Sequence, residues 1–150
     1  MQYIFDEITG VIDFDKYTNY LSAIRYALPN HVYEFASNPS HFDLSSPTSL
    51  HDAWLISATL KDQRDTDQSP KSISVELIFL GPKHDRHIHL KYSGVTHFGT
   101  TGSVLGDLCT HEIRLGKSNG LTHEFLFAQN ARLTIECADM SHSESQRSAA

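Results

Sequence analysis

Two alternating stretches separated by a short turn decide the fold of this chain. They lie in residues 73–92 and read ISVELIFL-GPKHD-RHIHLKY. On both sides of the turn, apolar residues recur at every second position, the spacing of side chains that share one face of a β-strand. The turn at 81–85 contains Gly and Pro, which favour a tight connection. The stretch therefore predicts a hairpin of two antiparallel strands.

The same period of two extends outwards from this hairpin. Residues 54–60 alternate before it, and the polar run at 61–71 between them predicts an exposed hairpin loop. After the hairpin, Gly94 indicates a bulge, and residues 133–137 predict a final strand. Most of the chain from residue 51 onwards therefore consists of short strands joined as hairpins.

A last hairpin is centred on residues 118–120, Ser-Asn-Gly, a sequence typical of a three-residue loop. This loop places Arg114 opposite Glu124, which is an attractive cross-strand pair. A two-residue loop would shift the register by one and place Arg114 opposite an apolar side chain, so we expect the first register. His111 and His123 would then lie at the edge of the core, satisfied by hydrogen bonds.

The first third of the chain has a helical period. Asp13 is a candidate N-cap, and apolar residues then recur at spacings of three and four from 14 to 28. Pro29 ends this helix, and a second short helix is expected over about 30–37. We therefore predict an α+β fold, with an N-terminal helix or helix pair packed on one face of a roughly six-stranded, mainly antiparallel sheet.

The length of 150 residues fits one domain, which we expect to span residues 1–140. The remaining residues, 141–150, are small and polar and predict a flexible C-terminal tail. The two cysteines, Cys109 and Cys137, form no paired motif. Since the N-terminus shows no secretory signal pattern, we expect a cytoplasmic protein with reduced thiols.

The charge restricts the classes of partner. The chain has 12 Lys and Arg against 18 Asp and Glu, a net charge of −6. A nucleic-acid partner is not expected, because such binding needs basic side chains. An acidic protein suits a basic protein partner better. No apolar stretch approaches the ~18 residues of a membrane helix, so no membrane partner is expected either.

Ten histidines are the most unusual feature of the composition. His87 and His89 would share one face of a strand, where two imidazoles can bind a divalent metal, and His84, Asp85 or His97 would complete the site. A metal-binding domain or metal-dependent enzyme using residues 84–97 is therefore one alternative. An exposed polar strand face has the same pattern, so the leading expectation includes no metal, no cofactor and no catalytic residue.

Three short segments carry a resemblance to a known group of proteins. They are residues 49–55 (SLHDAWL), 80–86 (LGPKHDR) and 90–95 (LKYSGV). They resemble small bacterial proteins of similar size, some of which are similar to the immunity partners of polymorphic toxins. The resemblance covers about residues 49–98 and transfers no functional residue. It implies a cytosolic bacterial protein that neutralises a toxin by binding it.

The leading expectation is a non-enzymatic binding protein of the toxin-immunity type that acts by occluding its partner. Turns between rigid strands commonly carry binding residues, so we expect the contact surface at the hairpin ends. It comprises Asp62, Asp65, Asp67, His84, Asp85, Arg86 and His87. A further alternative is a structural subunit that assembles with itself through an exposed sheet edge. The oligomeric state stays open.

Overall fold

The computed structural model describes residues 1–148. The helices are α1 (Phe14–Ile24) and α2 (Asn30–Ser37), and each is followed by a short 3₁₀ turn. The strands are β1 (Trp54–Asp62), β2 (Ile73–Leu80), β3 (Arg86–Ser93), β4 (His97–Thr101), β5 (Leu108–Leu115), β6 (Leu121–Phe127), β7 (Arg132–Cys137) and β8 (Asp139–Gln146). The α+β class is confirmed, but the strands form two four-stranded sheets rather than one sheet of about six.

The helical region agrees with the sequence pattern except at the end of α1. Asp13 caps α1, because its Oδ1 accepts a hydrogen bond from the backbone N–H of Lys16 at 3.0 Å. The helix ends at Ile24, one turn before Leu28, because Pro29 favours an extended backbone in the residue that precedes it. α2 then begins after Pro29 and ends as predicted. None of the described helices is long and apolar enough to cross a membrane.

The two antiparallel sheets have the strand orders β1-β2-β3-β8 and β4-β7-β6-β5. The chain crosses from one sheet to the other between β3 and β4, and again between β7 and β8. Gly94 lies at this corner with a φ of +59°, and a Cβ placed on it would stand 2.7 Å from the Cβ of Ala138. The bulge predicted at Gly94 is therefore a corner between two sheets, which needs a residue without a side chain.

The core lies between the two sheets, and the helices extend it. Phe79 of β2 stacks on Phe125 of β6 with ring centroids 5.7 Å apart. α1 lies against the edge of β5, where the Tyr17 hydroxyl accepts a hydrogen bond from the backbone N–H of Ile113 at 2.8 Å. α2 lies against β8. The tyrosine contact covers a strand edge that would otherwise leave backbone groups unpaired.

The last hairpin turns one residue earlier than the sequence predicts, because Gly116 N–H donates to the carbonyl oxygen of Gly120 at 2.7 Å and leaves residues 117–119 as the loop. Arg114 pairs with Thr122 instead of Glu124, so the predicted register is wrong by two residues. The reason is the backbone of Ser118 and Asn119, which both have positive φ and reverse the chain at this point. A shift of two residues keeps every side chain on its predicted face. Arg114 Nη1 still reaches Glu124 Oε1 diagonally, at 3.0 Å.

The predicted tail is wrong for most of its length, because residues 141–146 belong to β8. This strand pairs with β3 from Ser93↔Asp139 to Arg86↔Gln146. Its small polar residues gave no apolar alternation, but backbone hydrogen bonds to β3 do not require one. Residues 149 and 150 of the predicted tail lie outside the described residues.

Candidate partner-binding surface

The structure separates the predicted contact residues into two groups at opposite ends of β2. Asp62 ends β1, and Asp65 and Asp67 follow it in the connection to β2. Residues 84–87 lie where β2 leads into β3. β2 has 8 residues, and at ~3.3 Å per residue its ends are about 23 Å apart. The two groups therefore do not form one compact contact patch.

The acidic group is partly neutralised by its own neighbours. Asp62 accepts a hydrogen bond from Arg64 Nε at 2.8 Å, and this guanidinium holds the pKa of the Asp62 carboxyl below its usual range. Asp65 and Asp67 are exposed in the same loop, with Lys71 close in sequence. The loop therefore presents mixed charge rather than a purely acidic surface.

The turn group lies beside an exposed tryptophan that begins β1. Trp54 is 45 % exposed, and its ring centroid lies 4.5 Å from that of His84. Asp85 accepts two hydrogen bonds from the Arg86 guanidinium, at 3.0 and 2.9 Å, which lower the pKa of the Asp85 carboxyl. We refer to Trp54, His84, Asp85, Arg86 and His87 as the Trp54 surface. It combines four of the seven predicted contact residues with an exposed aromatic side chain.

β1 extends the Trp54 surface as an open strand edge. Within residues 1–148 it pairs with β2 on one side, and on the other it makes one isolated bridge, from Trp54 to Asp107. Ile56 and Leu60 are 50 % and 54 % exposed. The alternation of this strand is typical of a half-buried face, but a bulge between Leu55 and Ser57 and the edge position leave the side chains uncovered. The sequence pattern alone does not distinguish an edge strand from a central one.

The histidine-rich segment 84–97 does not bring its histidines together. The ring centroids of His87 and His89 are 6.4 Å apart, and His89 Nε2 lies 3.0 Å from Ser145 Oγ. His97 lies on β4, in the other sheet. Within residues 1–148, no group of three or more His, Cys, Asp or Glu side chains is arranged to hold a metal ion. The ligand set that the sequence suggested is therefore dispersed.

The two histidines of the last hairpin lie in the core rather than at its edge. His111 and His123 are each 1 % exposed. His111 Nδ1 lies 3.0 Å from His123 Nε2, and His123 Nδ1 lies 2.8 Å from the Tyr92 hydroxyl. Burial lowers the pKa of both imidazoles, that of His123 to about 3. Both nitrogens of His123 have partners, as predicted, but His111 Nε2 has none within the described residues.

His41 and His142 form a second histidine pair that the sequence pattern does not reveal. Their ring centroids lie 4.9 Å apart, and Phe35 of α2 packs against both rings at 4.5 and 5.0 Å. Burial lowers the pKa of His41 and lowers that of His142 to about 4. One member follows α2 and the other lies in the segment predicted as a tail, so no spacing signal connects them.

The fold and the exposed residues define an α+β protein with two antiparallel sheets and an aromatic surface at one open strand edge. Comparison of the chain with family models, curated proteins and solved structures finds no match. The immunity-type resemblance of residues 49–98 therefore stays a hypothesis.

Proposed function

We propose that the protein is a non-enzymatic, cytoplasmic binding protein that docks on a protein partner through the Trp54 surface and the open edge of β1. The exposed Trp54 ring carries this proposal. Tryptophan is one of the residue types that contribute most to binding at interfaces, and the ring of His84 lies beside that of Trp54 with centroids 4.5 Å apart. An open strand edge can also pair with an extended segment of a partner. The action would be occlusion, in which the partner's own functional surface is covered.

The charge and the resemblance favour a basic, toxin-like partner. The net charge of −6 favours encounter with a basic protein. The segments that resemble immunity proteins include Trp54 and Asp85, both on the Trp54 surface. Asp65 and Asp67, at the far end of β2, would contribute to steering the encounter rather than to the anchored contact.

A native pull-down with matched variants tests the proposal. The bait is the full chain, as wild type, as Trp54→Ala and as Tyr26→Ala. Tyr26 is 98 % exposed and follows α1, so it controls for loss of any exposed aromatic ring. We expect wild type and Tyr26→Ala to retain one stoichiometric protein partner. Trp54→Ala should weaken its binding by about 30-fold or more, as for a hot spot worth ~2 kcal/mol.

Equal retention by all three baits would contradict the assignment of the surface. The absence of any partner at low salt would contradict the binding function under those growth conditions. The acidic loop is tested separately, by replacing Asp62, Asp65 and Asp67 with Lys. We expect slower association and a weaker salt dependence, with dissociation unchanged, because long-range charge acts mainly on the association rate.

A second candidate function, self-assembly, is favoured by the same open edge of β1. Ile56 and Leu60 are exposed there and could pair with β1 of a second copy. Sedimentation over a range of concentrations would show an increase in mass, and Ile56→Lys should abolish it. A mass that stays monomeric at high concentration would contradict this candidate without affecting the first.

A further inference from the structure

A cavity of about 240 Å³ lies beneath the segment that follows α2, and it shares no residue with the Trp54 surface. Its apolar wall consists of Ile12, Phe14, Phe42 and Leu44. A cavity of about 150 Å³ with apolar walls holds benzene, so this one has room for one or two aromatic rings. Among the described residues, no Lys, Arg, Asp or Glu lines it. A charged ligand would lose its hydration there without a counter-ion, which favours a neutral molecule.

Three almost fully buried polar side chains also line this cavity. His41, Thr110 and His111 are 4 %, 3 % and 1 % exposed. Thr110 Oγ1 and His111 Nε2 have no hydrogen-bond partner within residues 1–148. Polar atoms that are buried without a partner reduce stability, so they are uncommon in a core packed for stability alone. Both atoms are closed off from the cavity space itself, which leaves His41 as the polar side chain of this wall that can reach a ligand.

The hydrogen bond of His41 decides what its ring can offer to a ligand. Its Nδ1 lies 2.9 Å from the carbonyl oxygen of Phe35. A carbonyl oxygen only accepts, so Nδ1 must carry the proton and Nε2 of the neutral ring carries the lone pair. Burial lowers the pKa of His41, which keeps the ring neutral at neutral pH. A ligand that bonds to this ring therefore has to bring a hydrogen-bond donor.

Two phenylalanines and an imidazole make one wall of the cavity aromatic. Phe42 stacks on His111 with centroids 4.5 Å apart and planes 9° apart, and Phe14 meets Phe42 edge-on at 5.6 Å. Phe14 and Leu44 are 44 % and 69 % exposed, so the apolar wall reaches the surface at these two residues. We propose that the cavity binds a neutral aromatic molecule of one or two rings that carries a hydrogen-bond donor, the chemistry of a phenol or an indole, with the donor directed to His41.

Titration of the full-length protein with phenol, indole and toluene, followed by amide NMR, tests this assignment. Phenol and toluene have the same shape and differ in the donor. We expect saturable shifts at residues 12, 14, 41–44 and 109–111 by about 10 mM phenol or indole, tenfold above a dissociation constant of ~1 mM. Phenol should bind more tightly than toluene, although toluene is the more hydrophobic of the two.

A matched pair of variants locates the binding. Leu44→Trp places a large side chain at the cavity wall and should abolish the phenol shifts. Val104→Trp, at a residue that is 70 % exposed and does not line the cavity, should retain them. The proposal would be overturned if about 10 mM phenol or indole gave no amide shifts, or if the shifts were centred away from the cavity. Phenol shifts that persist in Leu44→Trp would overturn it as well. Toluene binding as tightly as phenol would overturn it too. The wild-type titration decides the matter even if a variant does not fold.

Discussion

Lowering the pH from about 7.5 to about 5 is expected to destabilise the folded protein through its buried histidines. Burial lowers the pKa of His123 from its ordinary value of 6.5 to about 3. In the unfolded chain the same imidazole keeps a pKa near 6.5. Between about pH 6.5 and 3, the unfolded chain therefore binds one proton that the folded protein does not. The contribution of His123 to stability is fully present above pH 6.5 and is lost as the pH falls through this window.

The structure gives the size of this effect. One pKa unit corresponds to about 1.4 kcal/mol, and pH 5 lies about 1.5 units below the unfolded pKa, so His123 alone accounts for a loss of about 2 kcal/mol. His111 and His142 add to the loss, because burial lowers their pKa as well. Carboxylates with a lowered pKa, such as Glu7, lose their contribution mainly below about pH 5. A slope between pH 7.5 and 5 therefore reports on the histidines.

Urea unfolding at a series of pH values measures this slope for wild type, His123→Phe and His97→Gln. We expect the difference in the free energy of unfolding between pH 7.5 and 5 to be about 2 kcal/mol smaller in His123→Phe, whatever its absolute stability. His97 is exposed, and its replacement controls for the loss of any one histidine. In wild type, the NMR signals of the His123 ring should not titrate above pH 5. A His123 ring that titrates near pH 6.5, or a wild-type stability that is equal at both pH values, would refute the reasoning.

Three further changes test the packing of the core. Thr110→Val removes a buried hydroxyl that has no hydrogen-bond partner among the described residues, so it should raise the free energy of unfolding in urea by about 1–2 kcal/mol. A lower free energy of unfolding would mean that the hydroxyl does have a hydrogen-bond partner. Glu112→Gln weakens the acceptor of three backbone N–H groups near the N-terminus and should cost about 3 kcal/mol, with loss of hydrogen-exchange protection there. The control, Glu136→Gln at a partly exposed site, should lower the free energy of unfolding by ~0.5 kcal/mol or less. Equal losses in the two variants would argue against a special role for the buried Glu112 carboxylate. Gly94→Ala should lower the free energy of unfolding in urea by about 3 kcal/mol, and Gly10→Ala should lower it by about 1 kcal/mol. Both glycines have positive φ, but only a Cβ at position 94 would meet a neighbouring Cβ, at 2.7 Å. Similar losses in the two variants would mean that the corner relaxes around the added methyl group.

Local patterns were sufficient for the elements whose neighbours in sequence are also their neighbours in space. The bounds of α2 depend on Pro29 and the residues directly after it. The hairpin of β2 and β3 depends on alternation around the turn at 81–85. The register of the last hairpin was missed because it depends on the backbone angles of Ser118 and Asn119, which alternation does not report.

The candidate binding surface was predictable only in part. The turn at 84–87 was singled out because turns on rigid strands carry binding residues. Trp54 was assigned to a regular half-buried strand, because nothing in its alternation shows that β1 is at an edge. The cavity at His41 has no sequence signal, since its wall combines residues from the N-terminus, the segment after α2 and β5.

By itself, the sequence determined the class of the fold, the positions of the helices and which residues of each predicted strand share a face. Those properties follow from the periods of 3.6 and 2, which are set by the local geometry of the backbone. The tertiary structure alone decided that the strands divide into two sheets at Gly94, that residues 141–146 pair with β3, and that the predicted contact residues lie at opposite ends of β2. It also decided that four histidines, three of them buried and His142 partly exposed, gather around Phe35 of α2. The physical reason is that strand order and contacts between distant segments depend on the packing of the whole chain, which no local period encodes.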